Sequence, residues 1–489
     1  MSTILPFIQS VASTVETTTQ TKTARPNIVF ILADDMGYGD PGCYNDQSRI
    51  LTPNMDQLAE QGVRFTDAHS PSAVCTPTRY GVLTGCYAWR SRLKRGVLNG
   101  YSRNLIDEGR TTVASLLKER GYETGCVGKW HLGFQPHYME VEQAEPVDYG
   151  QLLTPGPNQH GFDYFWGIPA SLDMPPYVYV ENDQLVDDPT EEIGDSAHRR
   201  QGGRGFWRGG GIAPSFKHID VLPDLTQQAV GYIERAASQE NPFFLYFPLT
   251  APHTPWMPIP EFEGKSGAGY YGDFTMQVDW SIGQVMDALK KARVSDDTLI
   301  IVTSDNGSHW YQNDVDTFGH HSNRHWRGQK ADIWEGGHRI PFIARWPGQI
   351  DTKMVCEQTI CLTDLLATVA DITGEVVMAE DSVSILPALL DPNWEKPLHE
   401  AIVSHSVSGV FAIRQGEWKL IQGLGSGGFS SPRVEEPEPD GPVGQLYNLA
   451  DDPGETENLY LDRPEIVEQL SVLLTEYQQQ EYSKPGHSN

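Results

Sequence analysis

Two apolar runs in this 489-residue chain end on oxygen-bearing side chains: NIVFILADD on Asp34 and Asp35, and TLIIVTSDN on Asp305 and Asn306. Four hard oxygen donors of this kind suit Ca2+ first and Mg2+ second, and are poor company for zinc. The alternative is that each pair caps a following helix, which is common for one pair and much less so for two. Between them lies Cys75-Thr76-Pro77-Thr78-Arg79. A thiol is a soft partner for a hard cation, so Cys75 belongs with these oxygens only in an oxidised form. A lone cysteine is otherwise read as a small buried residue.

The elements needed to position these residues follow from the pattern around them. From Asn27 onward, apolar runs, polar turns and helical patterns alternate, which implies an α/β fold with a large, mostly parallel sheet sandwiched by helices. Ligands bind beyond the carboxyl ends of such strands, where the four oxygens fall. Thr52 and Pro53 mark a helix start in LTPNMDQLAEQ, GVRFTDAHS reads as a strand, and TTVASLLKER is an amphipathic helix closed by Gly121. NPFFLYFPLTAPH and TLIIVTSDNGSHW read as buried strands. The stretch from about 140 to 214, rich in Gly, Pro and Trp, reads as a long insertion of loops. After TDLLATVADITG the pattern shifts to short alternating segments, so a smaller C-terminal α+β subdomain with an antiparallel sheet and a closing helix over 462–480 is expected. The expected division is a tail at 1–24, a main domain at 25–374 and the subdomain at 375–489.

Cys75 to Arg79, continuing as YGVLTG, resembles the first signature of the type I sulfatases, and GYETGCVGKWH (121–131) resembles their second. With the ADD and SDNG strand ends, GQKADIWEGG around Lys330 and LYNLADDPGETENL, the likeness runs in one order along most of the chain. Thr78 stands where the commonest form has Ser. The resemblance implies an alkaline phosphatase-like fold and a sulfate ester hydrolase on a Ca2+ ion. Cys75 would be converted to formylglycine by a maturation enzyme, with Asp34, Asp35, Asp305, Asn306 and the modified Cys75 as metal ligands. Arg79 and Lys129 would hold the formylglycine hydroxyls, and His253 and Lys330 would grip the sulfate. His253 would be the general acid, with Lys330 sharing the role, and His131 the base; a reference pKa of about 6.5 suits histidine to both tasks. Taken singly, Arg79 and Lys129 also read as surface charges, and His131 as a packed ring.

The segment GHHSNRHWRGQK (319–330) contains no acid. His320, His321, Arg324, His325 and Arg327, with Trp310 and Trp326 beside them, suit a sulfated mono- or oligosaccharide, the rings stacking and the cations meeting acidic groups. Asp173 is a candidate partner for sugar hydroxyls. The segment resembles loops of bacterial polysaccharide sulfatases.

Lys and Arg number 36 against 65 Asp and Glu, a net charge of −29. That balance disfavours nucleic acid, yet it permits a small anion held in a local basic pocket. The longest apolar run, Phe243 to Leu249, is far short of a membrane span. Residues 1–24 lack a basic n-region and a long apolar stretch. Converting Cys75 leaves five of six cysteines, an odd number that cannot pair completely within one chain. The expected compartment is therefore the cytoplasm, or the periplasm or exterior if 1–24 are a divergent or trimmed signal. Two other functions fit less well: a phosphonate monoester or phosphodiester hydrolase of the same superfamily, and a non-catalytic glycan-binding protein.

Overall fold

The computed structural model describes residues 25–134, 151–196, 204–391 and 393–483. Its centre is an eleven-stranded sheet in which Asn27–Ala33 is flanked by Thr298–Ser304 and Phe243–Pro248, both parallel to it. Glu123–Lys129 and Tyr164–Ile168 extend the parallel set on one side. On the other side Arg339–Arg345 runs antiparallel to Thr298–Ser304 and to Val63–His69. The three central strands are buried along their whole length. Helices cover both faces of such strands, so their sequences are continuous apolar runs rather than alternating ones. Register then does the positioning. Ala33 pairs with Ser304, so Asp34–Asp35 and Asp305–Asn306 leave the sheet side by side.

Gly128 brings a third strand end to the same edge. Its φ is +142°, and a Cβ there would lie 1.9 Å from the Pro248 carbonyl oxygen. Only glycine permits this approach, which sets Lys129 at the end of the Phe243–Pro248 strand, itself the neighbour of Asn27–Ala33.

One helix start departs from the expected pattern. Thr52 occupies the N-cap position of Pro53–Glu60 without capping it; its hydroxyl accepts from Gly42 N at 2.8 Å. Asp279 substitutes, accepting from the backbone N–H of Asn54 and Met55 at 3.1 and 2.9 Å. Asp279 belongs to the 24-residue helix Gly269–Ala292. The stretch 140–214 is not only loop. In its described part, Tyr164–Ile168 is a full member of the parallel sheet, and Val180–Glu181 and Gln184–Leu185 add its edge. These strands are short, and the glycines and prolines around them mask the apolar run.

Ile402–His405, Phe411–Gln415, Trp418–Ile421 and Gln445–Asn448 form a separate antiparallel sheet, with Pro464–Gln479 packed on it. Apolar residues Ala379 to Leu389 pack into the large core, beyond Gly374. Among the described residues, no helix is long and apolar enough to cross a membrane.

Candidate active site

Cys75 is the first residue of a ten-residue helix, Cys75–Thr84, that is buried throughout. Gly85, at φ +63°, ends the helix. Burial pushes the Cys75 thiol upward, and Asp34 and Asp305 push the same way against Lys129 and Lys330. An unmodified Cys75 is therefore a neutral thiol, poor both as nucleophile and as metal ligand.

Around it, three carboxylates interlock with three cations. Lys129 Nζ lies 2.7 Å from Asp34 Oδ2. Arg79 donates through Nε and Nη2 to Asp305 Oδ2 at 3.1 and 2.8 Å, and through Nη1 to the Lys129 carbonyl at 3.0 Å. Lys330 Nζ spans the two oxygens of Asp35 at 2.7 and 2.8 Å. Burial alone would raise Asp34, but Lys129, His253, Arg79 and Lys330 overturn that and hold its carboxyl well below the usual range. Asp305 moves the other way, to about 7, through burial first and the charge of Asp34 second.

The donor set fits a hard cation. Asp34 Oδ1 and Asn306 Oδ1 are buried acceptors without a hydrogen-bond partner. A ligand atom of Cys75 and those of Asp34 and Asp305 all lie within 4.8 Å of one another. Orphaned buried oxygens are costly unless something satisfies them, and a dication would.

His131 and Asp35 both adopt left-handed backbone, with φ 54° and 70°. Such conformations cost on the order of 1–3 kcal/mol and concentrate at functional sites. His131 Nε2 is 2.7 Å from the Leu98 carbonyl, which accepts only, so Nε2 carries the hydrogen and Nδ1 the lone pair. Nδ1 is buried without a partner. Burial and then Lys129 hold this imidazole well below its usual pKa, so it is neutral. Leu98 N in turn donates to Thr76 Oγ1 at 3.1 Å, linking His131 to the nucleophile helix. His253 Nδ1 contacts the Thr254 carbonyl and, at 3.4 Å, Ser171 Oγ, while Nε2 lies 3.8 Å from Asp35 Oδ2.

This constellation of carboxylates, cations and histidines around one cysteine has counterparts of known class. The sulfatase family model matches residues 26–375. The chain belongs to the sulfatase family.

As a family member it is a sulfuric ester hydrolase with the alkaline phosphatase-like fold. An N-acetylgalactosamine-6-O-sulfatase of Bacteroides thetaiotaomicron is 35% identical over 488 residues, covering 92% of each chain. Bovine arylsulfatase A is 34% identical, covering 92% of this chain and 88% of its own. A solved B. thetaiotaomicron structure from work on glycosaminoglycan metabolism superposes with TM-score 0.80 at 34% identity, over 94% of this chain and all of the other.

The basic segment of the sulfatase divides on inspection. His320 is fully buried, with Nε2 2.8 Å from Asp40 Oδ1 and Nδ1 accepting from Arg49 N at 3.3 Å. Both ring nitrogens are committed, so His320 is a structural brace and not a substrate ligand. His321, Arg324, His325 and Arg327 line a cavity one residue from Lys330. Asp173 is buried and ion-paired with Arg208, leaving Oδ1 without a partner.

Other residues of the site left little trace in the sequence. Leu98 acts through its backbone alone. Asp332 accepts from Gln329 N at 3.0 Å and from Phe429 N and Ser430 N at 2.7 and 3.0 Å; an acid two residues after Lys330 is its only signal. Ala331 N donates to Ala73 O at 2.8 Å, joining the segments that carry Cys75 and Lys330, and two further backbone bonds fasten the smaller sheet's first strand and the turn after it to them: Ala73 N to His405 O at 2.9 Å and Val407 N to Ala331 O at 3.0 Å. The two segments are thus also bridged by residues more than 70 positions further along the chain.

Proposed function

We propose that this sulfatase hydrolyses a sulfate ester on a carbohydrate, with 6-sulfated N-acetylgalactosamine the first candidate, using Cys75 matured to formylglycine and one Ca2+. The sugar is suggested by the name of the bacterial relative that aligns along 92% of this chain. The observation that supports the mechanism best is the burial of Cys75 among Asp34, Asp305, Arg79 and Lys129 in a form that, unmodified, is a neutral thiol. A formylglycine-generating enzyme is then a required partner.

Asp34, Asp35, Asp305, Asn306 and an oxygen on residue 75 would hold the Ca2+, which adds positive charge to a site whose three carboxylates and three cations otherwise cancel. The matured residue would supply the hydroxyl that attacks sulfur, the bond from sulfur to the sugar oxygen breaking as the new one forms. Arg79 and Lys129 fix that hydroxyl, and their buried position makes each charge worth more than it would be in water. Lys330 and His253 bind the sulfate oxygens. His253 Nε2 delivers a proton to the departing alcohol, a role Lys330 shares. His131 Nδ1, which its fixed tautomer leaves free, would then take the proton of the second hydroxyl on the sulfated residue 75, so that the C–O bond to sulfate breaks, inorganic sulfate leaves and the aldehyde is regenerated. The loop through Arg324 and Arg327 receives the remainder of the sugar.

The test is mass spectrometry of the peptide containing Cys75 after expression with a maturation enzyme. The aldehyde is expected, and Cys75→Ala should fold normally without turnover. A free thiol in fully active enzyme would overturn the mechanism.

A further inference from the structure

The ring of His131 is set by groups outside its own segment. Its backbone is left-handed, with φ 54°, and His131 N donates to the Pro169 carbonyl at 3.0 Å. At the ring, Nε2 meets the Leu98 carbonyl at 2.7 Å, and the buried Nδ1 has no hydrogen-bond partner among the described residues. The Leu98 carbonyl therefore decides which nitrogen holds the hydrogen, since an acceptor there keeps Nε2 protonated and Nδ1 basic. No regular element holds that carbonyl in place. Residues 97–99 lie outside helix and strand, and Asn99 is exposed. Two bonds fasten the segment from elsewhere: Gly96 N donates to the Val407 carbonyl at 2.8 Å, and Leu98 N donates to Thr76 Oγ1 at 3.1 Å. The first anchors the segment, and the second acts on Leu98 itself. Thr76 is fully buried and is the second residue of the Cys75–Thr84 helix. So early in a helix no preceding turn draws the hydroxyl back onto its own backbone, and the branched Cβ restricts χ1. Leu98 thus meets a rigid acceptor that is carried by the nucleophile's own helix.

We propose that Thr76 is a positioning residue whose hydroxyl holds Leu98, and through Leu98 the tautomer of His131, for the step that frees sulfate from residue 75. The assignment rests on the sulfatase reading of the Cys75 site. In that step His131 Nδ1 removes the proton of the remaining hydroxyl on the sulfated residue. The electron pair closes the C=O bond of the aldehyde, the C–O bond to sulfate breaks, and inorganic sulfate leaves. Without Thr76 Oγ1, Leu98 is less constrained and the ring hydrogen divides between Nε2 and Nδ1. The fraction protonated on Nδ1 cannot act as base. Attack on sulfur comes earlier and makes no use of Nδ1, so it should proceed as before.

The test compares matured wild type, Thr76→Val and Thr76→Ser on an aryl sulfate. Turnover is normalised to the aldehyde content of each protein, because residue 76 adjoins the residue that is matured. Acid quenching at steady state and saturating substrate, followed by mass spectrometry, gives the ratio of sulfated to free residue 75. In Thr76→Val that ratio should rise roughly three- to ten-fold, the worth of one hydrogen bond. Since kcat/KM ends at release of the phenol, it should stay within about two-fold of wild type. Thr76→Ser keeps the hydroxyl and should restore the wild-type ratio. Nitrogen NMR of isotope-labelled histidine, with the His131 signal assigned by its loss in His131→Asn, reads the tether without chemistry. One tautomer, with the hydrogen on Nε2, is expected in the wild type and a mixture in Thr76→Val. Thr76→Ala carries both readouts if the valine variant does not fold. A tautomer mixture in Thr76→Val, alongside wild type that releases no sulfate, would support the tether while refuting the sulfatase reading. A ratio unchanged in Thr76→Val, a fall in kcat/KM with the ratio unmoved, or the same single tautomer in wild type and Thr76→Val would overturn the proposal.

Discussion

Lys129 Nζ and Asp34 Oδ2 are 2.7 Å apart, and both side chains are shielded completely from solvent. Asp34 is thereby fixed with its other oxygen lacking a hydrogen-bond partner, 3.6 Å from Arg79 Nη2, and the charge of Lys129 acts on Cys75. Replacing Lys129 with Met should leave the sheet intact and lower kcat by about 10²–10³, the usual loss when a preorganised charge is removed. Steady-state kinetics on an aryl sulfate, with circular dichroism as the control for folding, checks this. A loss confined to KM would point to binding alone.

The orphaned oxygens of Asp34 and Asn306 carry a prediction about metal. Exhaustive chelation should abolish turnover, and Ca2+ should restore it. Saturation at 100 times the dissociation constant should also stabilise the fold by about 2.7 kcal/mol, read as a rise in the thermal midpoint. Full activity in demetallated protein would assign these oxygens another task.

His131 has its hydrogen fixed on Nε2 by Leu98 and its pKa held well below 6.5. Since the base form persists as pH falls through 6.5, the acid limb of the kcat profile should lie below that value. His131→Asn should lower kcat by about 10²–10⁴ and remove that limb. A limb retained in the variant would belong to another group.

A second buried cluster joins the two sheets. Lys419 Nζ lies 3.0 Å from Glu335 Oε1 and 2.8 Å from Glu455 Oε1, and all three side chains are inaccessible. Lys419→Met leaves buried Glu455 without its cation, Glu335 keeping Arg339 at 2.8 Å, and should cost about 3–5 kcal/mol, measured by urea denaturation. Lys419→Met with Glu455→Gln should recover part of the loss.

His405 supplies a pH-dependent term in stability. Its Nδ1 meets the Ser406 carbonyl at 3.0 Å, its Nε2 has no partner, and burial lowers its pKa to about 4. The unfolded chain, near 6.5, takes up a proton between pH 6.5 and 4 that the folded protein refuses. Stability is therefore lost as pH falls through that window, by about 1.4 kcal/mol per pH unit. Between pH 6.5 and 4.5 the wild type should lose about 2 kcal/mol more than His405→Gln. Parallel losses would mean His405 accepts a proton in the folded state.

That Asp34–Asp35 and Asp305–Asn306 come together was legible because apolar strands end abruptly on them, and a parallel register places such ends side by side. Cys75, Lys129 and Lys330 were legible through short motifs whose order is itself informative. His320 was misread as a ligand because its partner, Asp40, is 280 residues away in sequence. Nothing local distinguishes a basic loop residue turned inward from one turned outward. Leu98, Ala73, Ala331 and Val407 act through backbone groups, which any side chain could accompany. The Tyr164–Ile168 strand was hidden by its length and by the prolines and glycines beside it.

The most direct measurement is the release of inorganic sulfate from 6-sulfated N-acetylgalactosamine by matured enzyme, set beside the release of phosphate from the corresponding 6-phosphate. Sulfate should be released with kcat/KM at least 100-fold above that for phosphate, the order expected of an oriented, charge-matched site, and Cys75→Ala should release neither. Phosphate released as readily as sulfate, or sulfate released undiminished by Cys75→Ala, would contradict the proposed reaction.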